Sequence, residues 1–275
     1  MDIRRAAVIG AGVMGSGIAQ TLAVAGCTVM CRDIDDTQLD AARTLVEDGR
    51  YGVRRAAERG KLAPEEADAA LERLRFTIDL DEAVDGADLV IEAVPEDLGL
   101  KMRLFQQLDA IAPAKTILAT NSSGLPVIAM ATATGRPERV LGWHWSSPAP
   151  VMRMAEIVVT AHTGDDVREA VVALASRCGK NPVVVKDHPT AWGYVGNRIY
   201  AAAIREARAI VAEGIADPAG VDRILQDGWG WPAGPFAMVR GATEGWGDGR
   251  TSSVGTLNRP PGGSQTPTRA NPSAS

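Results

Sequence analysis

Three glycines near the start of the chain have the spacing of a phosphate-binding turn. Gly10, Gly12 and Gly15 form a G-x-G-x-x-G motif that follows a short apolar run and opens a segment with helical spacing. Such glycines allow a tight turn, close approach of the backbone to a pyrophosphate, and close packing of helix on strand. Asp33 closes the next strand-like run, where an acid accepts hydrogen bonds from an adenosine ribose. The motif predicts an NAD site, because the Asp33 carboxylate would repel the 2′-phosphate of NADP; a glycine-rich turn without a ligand is the alternative.

The chain contains only three histidines, so the search for a general base is short. His162 and His188 lie in polar, turn-like segments, whereas His144 ends a predicted strand, where open parallel sheets place their ligand crevice. Glu156 opens the next predicted strand. If the intervening loop returns the chain, Glu156 would hold His144 in one tautomer and stabilise its protonated form. A structural histidine and a solvent-exposed glutamate are the alternatives, and spacing alone does not decide between them.

Polar residues also follow another predicted strand. Asn121, Ser122 and Ser123 come directly after the apolar run that ends at Thr120. They are candidates for binding a ligand at the same edge of the sheet, although such residues also cap the helix that follows. Asn197 lies in a long helical pattern, where asparagine has poor intrinsic propensity, so we expect it to have a polar partner.

Alternating strand and helix patterns must position these residues. The predicted strands cover residues 6–10, 28–33, 87–94, 116–120, 139–145, 156–160 and 182–185. The predicted helices cover 13–25, 36–60, 98–111, 126–133, 165–177, 195–213 and 221–226, with a further helix starting at Pro64. This alternation is typical of a parallel sheet covered by helices on both faces. The two helices between residues 36 and about 75 predict a helical hairpin inserted into that sheet.

The strand signals stop near residue 188, which divides the chain into three predicted parts. Residues 1–188 form an α/β, Rossmann-like, doubly wound domain, and residues 189–246 a small all-α domain. Residues 247–275 are predicted to be a disordered tail, because 18 of these 29 residues are Gly, Pro, Ser or Thr. Such a segment buries too little apolar surface to offset the entropy of ordering it.

Composition excludes several classes of protein. The net charge of −5 argues against a nucleic-acid partner, and no uncharged apolar run is long enough to span a membrane. Three cysteines at irregular spacing predict neither a disulfide framework nor a zinc site, and we expect no metal. The first residues lack the apolar core of a signal peptide, which favours a cytoplasmic location.

Five segments in order resemble the L-3-hydroxyacyl-CoA dehydrogenases. These are GAGVMGSGIAQ, EAVPEDLGLK, ATNSSG, GWHWSSPAPVMRMAEIV and the downstream GNR. The resemblance implies a Rossmann-like domain that binds NAD and a helical domain that mediates dimerisation, with the substrate in the cleft between them. It also implies the reaction, which is hydride transfer between NAD and C3 of an acyl-CoA or acyl-carrier thioester.

The same resemblance implies a role for each matching residue. His144 corresponds to the catalytic base and Glu156 to its orienting partner. Ser123 and Asn197 correspond to the groups that hydrogen-bond the C3 oxygen of the substrate. The positions implied around the nicotinamide nucleotide are Asp33, Glu96, Lys101 and Asn121.

Two departures from the family pattern keep other functions open. Trp145-Ser146-Ser147-Pro148 stands where the family has Phe-Phe-Asn-Pro, which leaves a carrier-bound or free hydroxy acid as an alternative substrate. After residues 231–238 the family pattern dissolves, so the C-terminal domain is predicted to be shortened. A homodimer is the assembly that the resemblance implies, but this shortening removes part of its expected surface. It also leaves a non-catalytic NAD-binding protein as an alternative.

Overall fold

The computed structural model describes residues 1–190 and 192–244, and the chain divides into two compact units after Tyr200. The predicted disordered tail, 247–275, lies outside the described residues. Among those residues no helix is both long and apolar enough to cross a membrane.

The first unit is built on a single mixed sheet. Its strands are β1 (Arg5–Ile9), β2 (Thr28–Arg32), β3 (Leu74–Thr77), β4 (Leu89–Glu92), β5 (Ile117–Thr120), β6 (Val140–Trp145), β7 (Met154–Val159) and β8 (Asn181–Lys186). The helices that accompany them are α1 (Val13–Val24), α2 (Asp36–Asp48), α3 (Val53–Glu58), α4 (Pro64–Glu72), α5 (Leu80–Val84), α6 (Leu98–Ile111), α7 (Val127–Thr132) and α8 (Asp165–Arg177).

The strand order is β3-β2-β1-β4-β5-β6-β7-β8, and the order reverses between β1 and β4. Buried apolar side chains form one cluster on each face of the sheet, so helices cover both sides. This arrangement confirms the predicted doubly wound, Rossmann-like α/β fold. In such sheets ligands bind outside the carboxyl ends of the strands, at the point where the order reverses.

The expectation of a purely parallel sheet is wrong at one junction. Strands β6 and β7 pair antiparallel, whereas the other neighbouring strands described pair parallel. The loop between them, 146–153, is too short for the crossover of about a dozen or more residues that parallel pairing needs. The chain therefore turns back on itself directly after His144.

The predicted helix over 36–60 is also wrong, because α2 ends at Asp48 and α3 is separate. Gly49 caps α2 in an extended conformation, and a Cβ there would lie 2.4 Å from the Leu45 carbonyl oxygen. Helix α3 packs on both α2 and α4, and α2 and α4 pack on α1, which agrees with a helical insertion. Strand β3 then returns the chain to the sheet, and its four residues were too few to be recognised from the sequence.

The second unit contains the rest of α9 (Val195–Ala212), followed by α10 (Pro218–Trp229) and α11 (Pro235–Glu244). Asp222, which is buried in α10, accepts hydrogen bonds from the backbone N–H groups of Phe236 and Ala237 at 2.8 and 2.9 Å. Its carboxylate thereby caps α11, where the helix dipole favours negative charge.

Candidate functional site

The carboxyl ends of four parallel strands bring the predicted site residues to one edge of the sheet. Strands β1, β4, β5 and β6 are parallel neighbours. The glycine turn follows β1, Glu96 follows β4, Asn121 and Ser123 follow β5, and His144 lies near the end of β6. Residues far apart in sequence therefore meet where this fold binds its ligands.

The glycine turn has the geometry that its sequence predicts. Gly10 has a φ of +105°, and its N–H donates to the Arg32 carbonyl at 2.8 Å. A Cβ on Gly15 would lie only 1.7 Å from the Gly10 carbonyl oxygen, so any side chain there would force α1 away from the sheet. At Gly12, by contrast, a Cβ would meet no atom within 4 Å. The space above Gly12 is open and the turn beneath it is closely packed.

The start of α1 fits the pyrophosphate of a dinucleotide. No described side chain caps this helix, so its first N–H groups are directed outward and unpaired at the positive end of the helix dipole. Asp33 is half-buried beside the turn, and its Oδ2 accepts a hydrogen bond from Ala11 N–H at 2.6 Å. Uncapped donors and an adjacent carboxylate are the groups that bind NAD phosphates and ribose in this fold.

The open space at Gly12 leads to a prediction for Gly12→Ala. The added methyl group contacts no protein atom, so the melting temperature should stay close to that of the wild type. It would occupy space that a pyrophosphate needs, and overpacking costs about 1–3 kcal/mol, so the Kd for NADH should rise by about 5- to 150-fold. NADH titration followed by fluorescence measures this change. Unchanged affinity would show that the dinucleotide does not bind over Gly12.

His144 and Glu156 face each other across the antiparallel pair β6–β7. His144 Nδ1 lies 2.7 Å from Glu156 Oε2, and the two side chains are only 8% and 6% exposed. A carboxylate can only accept here, so Nδ1 carries the proton and Nε2 is left as an acceptor. The other two histidines, His162 and His188, are exposed.

The second oxygen of Glu156 is held by the start of α9. Oε1 accepts a hydrogen bond from Gly196 N–H at 2.9 Å. Burial by itself raises the pKa of Glu156, but the hydrogen bonds from His144 and from the backbone of Gly196 and Val195 outweigh it and lower the pKa below its usual value. The carboxylate therefore stays ionised beside the imidazole.

Ser123 and Asn197 are brought together within the first unit. Asn197 lies in the first turn of α9, and its Nδ2 donates to the Ser123 carbonyl at 3.1 Å. This contact supplies the polar partner expected for Asn197. The Ser123 hydroxyl has no hydrogen-bond partner among the described residues. Asn121 has a different role, because its Oδ1 accepts from Trp145 N–H at 3.0 Å and ties the end of β5 to the end of β6.

Glu96 and Lys101 belong to a buried charged network that includes one residue the sequence analysis missed, Glu92. Lys101 is 1% exposed, and its Nζ lies 2.6 Å from Glu92 Oε1 and 3.3 Å from Glu96 Oε2. Glu92 is fully buried at the end of β4 and also accepts from Thr120 Oγ1 at 2.6 Å. Burial raises the pKa of Glu92, against the opposing effect of Lys101.

Glu96 extends this network to the loop after β5. Its Oε1 accepts from the Ser122 hydroxyl at 2.5 Å and from Ser123 N–H at 2.9 Å. Ser122 Oγ in turn accepts from Leu125 N–H at 2.9 Å within the loop, whereas Pro126, the N-cap of α7, makes no side-chain hydrogen bond, so the helix-capping alternative is not observed here. In this structure Glu96 thus holds the backbone of Ser123.

The described residues contain no cluster of three or more His, Cys, Asp or Glu arranged to hold a metal ion. The three cysteines are free, and two of them are buried.

Two family models match the chain. One, described as "3-hydroxyacyl-CoA dehydrogenase, NAD binding domain", matches residues 5–188, and the other, "3-hydroxyacyl-CoA dehydrogenase, C-terminal domain", matches residues 193–259. A "Probable 3-hydroxybutyryl-CoA dehydrogenase" of Bacillus subtilis is 40% identical over 239 residues, which cover 87% of this chain and 81% of that protein.

Two further proteins extend the comparison. The crystal structure of (S)-3-hydroxybutyryl-CoA dehydrogenase from Ralstonia eutropha has a TM-score of 0.81 at 34% identity, covering 86% of this chain and 81% of that one. A 5-formyl-3-hydroxy-2-methylpyridine 4-carboxylate 5-dehydrogenase of Mesorhizobium japonicum is also 34% identical, over 86% of this chain and 75% of its own length. Proteins named for different substrates are therefore similar to this chain over most of its length.

Proposed function

The chain belongs to the 3-hydroxyacyl-CoA dehydrogenase family and is an NAD-dependent oxidoreductase, and we propose that it transfers hydride between NAD and C3 of a 3-hydroxyacyl-CoA, with His144 as the base. The observation that carries this proposal is the buried pair of His144 and Glu156 at the ligand-binding edge of the sheet. NAD, when bound, accepts or donates the hydride, and the protein supplies binding, orientation and proton transfer.

The glycine turn and Asp33 would bind the cofactor. The outward N–H groups at the start of α1 would donate to the pyrophosphate, and Asp33 would accept from the adenosine ribose. Both groups are oriented by the protein itself, because Asp33 Oδ2 already accepts from Ala11 N–H in the turn.

His144 would transfer the proton. With the proton on Nδ1 directed at Glu156, Nε2 is the atom that takes the proton of the 3-hydroxyl group. The imidazole then carries a positive charge, which the adjacent ionised Glu156 stabilises. In the direction of reduction the same atom returns the proton to the C3 oxygen.

Ser123 and Asn197 would stabilise the C3 oxygen. The Ser123 hydroxyl is free to donate, and Asn197 uses one amide hydrogen on the Ser123 carbonyl while keeping a second. Donors fixed in advance around an oxygen that gains charge lower the barrier of the reaction. Glu96 contributes indirectly, since it holds the Ser123 backbone.

A comparison of substrates tests this proposal. We expect acetoacetyl-CoA to be reduced with NADH, with loss of NADH absorbance, and NADPH to be a poorer donor because of Asp33. A matched panel contains carrier-bound acetoacetate and free 3-oxo and 3-hydroxy acids. Turnover of free acids alone would contradict the thioester assignment, and NADH binding without turnover of any of them would identify a non-catalytic NAD-binding protein.

A free-acid substrate is the second candidate, and two observations favour it. The loop after His144 carries Ser146 and Ser147 in place of the family's Phe-Asn, and the relative from Mesorhizobium japonicum is named for a pyridine carboxylate substrate.

Assembly and location are proposals of the same kind. A homodimer formed through the second unit is supported by three large apolar side chains there that are exposed, Ile215, Ile224 and Trp229.

A cytoplasmic location is supported by three cysteines that are all unpaired.

A further inference from the structure

Lys180 is a buried ammonium group that has no acidic partner in the part of the chain that the structure describes. It lies between α8 and β8 and is 6% exposed. Its Nζ donates to the Ala149 carbonyl at 2.6 Å and to the Met152 carbonyl at 2.9 Å, and it lies 5.1 Å from the centroid of the Trp145 ring. No carboxylate of the described residues lies within 4 Å of this nitrogen.

A buried cation of this kind is unfavourable unless its hydrogen bonds compensate for lost hydration. Burial lowers the pKa of Lys180 below its usual value, which reflects that cost. The groups that compensate are two backbone carbonyls and an aromatic face. All three belong to Trp145 or to the loop that follows it, so Lys180 is directed at this one segment.

That segment, the loop 146–153, joins the catalytic pair to the cofactor helix. It leaves β6 just after His144 and enters β7 just before Glu156. It also packs on α1 at Gly17, where a Cβ would lie 3.1 Å from Pro150 Cδ and 3.2 Å from Ala149 Cβ. A shift of the loop would therefore move the base, its partner and the contact with α1 together.

We propose that Lys180 is a positioning residue for the reaction, which fixes the loop 146–153 and the Trp145 ring and thereby sets the catalytic pair relative to α1. This inference rests on the proposed function for its kinetic consequences. Trp145 is buried in the core, and its ring stacks on Trp143 at 4.7 Å and lies 5.1 Å from the Lys180 ammonium, so the ammonium is one of the groups that pack against this ring.

Lys180→Met tests the proposal, since it keeps the length and apolar character of the side chain and removes the charge and donors. The buried Ala149 carbonyl and the part-buried Met152 carbonyl then lose their shared donor, so the loop should rearrange until the Ala149 carbonyl reaches water. We expect the Kd for NADH to rise and kcat to fall, each about 5–30-fold, the range that corresponds to one or two kcal/mol. The tryptophan emission of the ligand-free protein should shift as well, and Trp145→Phe should remove that shift.

Three further variants separate positioning from simple destabilisation. Lys115→Met removes an exposed lysine and should leave every readout unchanged. Leu108→Ala opens a cavity in the core and should lower the melting temperature without changing the Kd for NADH. Lys180→Arg, which keeps the charge and the donors, should recover most of the lost affinity. If Lys180→Met behaves like Leu108→Ala, the proposal is wrong.

Gly17→Ala keeps the proposal testable if Lys180→Met does not fold. Its methyl group presses on Ala149 and Pro150 from the α1 side while leaving Lys180 intact. We expect it to weaken NADH binding and to shift the Trp145 emission; wild-type values for both would overturn the proposal. Emission and NADH binding do not require turnover, so they decide on Lys180 even if acetoacetyl-CoA is not a substrate.

Discussion

His144→Ala is expected to lower kcat for acetoacetyl-CoA reduction by about 10²–10⁴-fold, the usual contribution of a positioned general acid or base. The substitution removes the imidazole, so Glu156 Oε2 loses its hydrogen bond to Nδ1 while Oε1 keeps the one from Gly196 N–H. The Kd for NADH should change little, because the glycine turn and Asp33 are untouched. Steady-state kinetics and NADH titration on the same preparation measure both quantities.

His162→Ala is the matched control for that experiment. His162 is exposed in a polar turn, and its substitution should leave kcat, the Kd for NADH and the melting temperature unchanged. If His144→Ala retained more than a tenth of the wild-type kcat while His162→Ala was inactive, the assignment of the base would be contradicted.

Lys101→Met is expected to lower the free energy of unfolding by about 3–5 kcal/mol, because removing one partner of a buried ion pair leaves the other charge uncompensated. Glu92 is the group left behind, with 0% of its side chain exposed. Glu96 also loses its contact with the ammonium group. Urea unfolding at neutral pH measures the difference.

Two comparisons show whether the buried charge is the cause. In Lys101→Met combined with Glu92→Met, both charges are replaced by apolar groups, and most of the stability should return. The loss in Lys101→Met should also shrink as the pH falls, because burial raises the pKa of Glu92 and the carboxyl group becomes neutral once the pH is below that value. A loss below about 1 kcal/mol, typical of an exposed pair, would contradict the prediction.

The parts of the site that depend on short stretches of sequence were predictable. The glycine turn, the strand before it and Asp33 lie within one strand-helix-strand unit, so their spacing in the sequence determines how they are arranged in the structure. The meeting of His144 and Glu156 followed from a short loop between two strands, although only the structure excludes an exposed glutamate.

Contacts between distant residues were not predictable in the same way. Glu92 reads as part of a buried strand, and its partners Lys101 and Thr120 lie 9 and 28 residues away. Lys180 follows a helix in a position where lysine is usually exposed, and its acceptors are backbone carbonyls about 30 residues earlier, which no side-chain pattern records.

The two differences between the predicted and the observed fold have local causes. Two glycines close together divided one apparent helix into α2 and α3, because the periodicity of apolar residues continues across the break. The direction of β7 was missed because alternation of strands and helices predicts parallel pairing only where a helix lies between the strands.

The antiparallel step between β6 and β7 limits how this part of the chain can vary in length. His144 and Glu156 are opposite each other in the ladder, and a shift of one residue turns a side chain to the other face of the sheet. One residue inserted into the loop 146–153 would have to be absorbed within the loop or would separate the pair. The number of residues in the loop 146–153 therefore helps to keep His144 and Glu156 opposite each other.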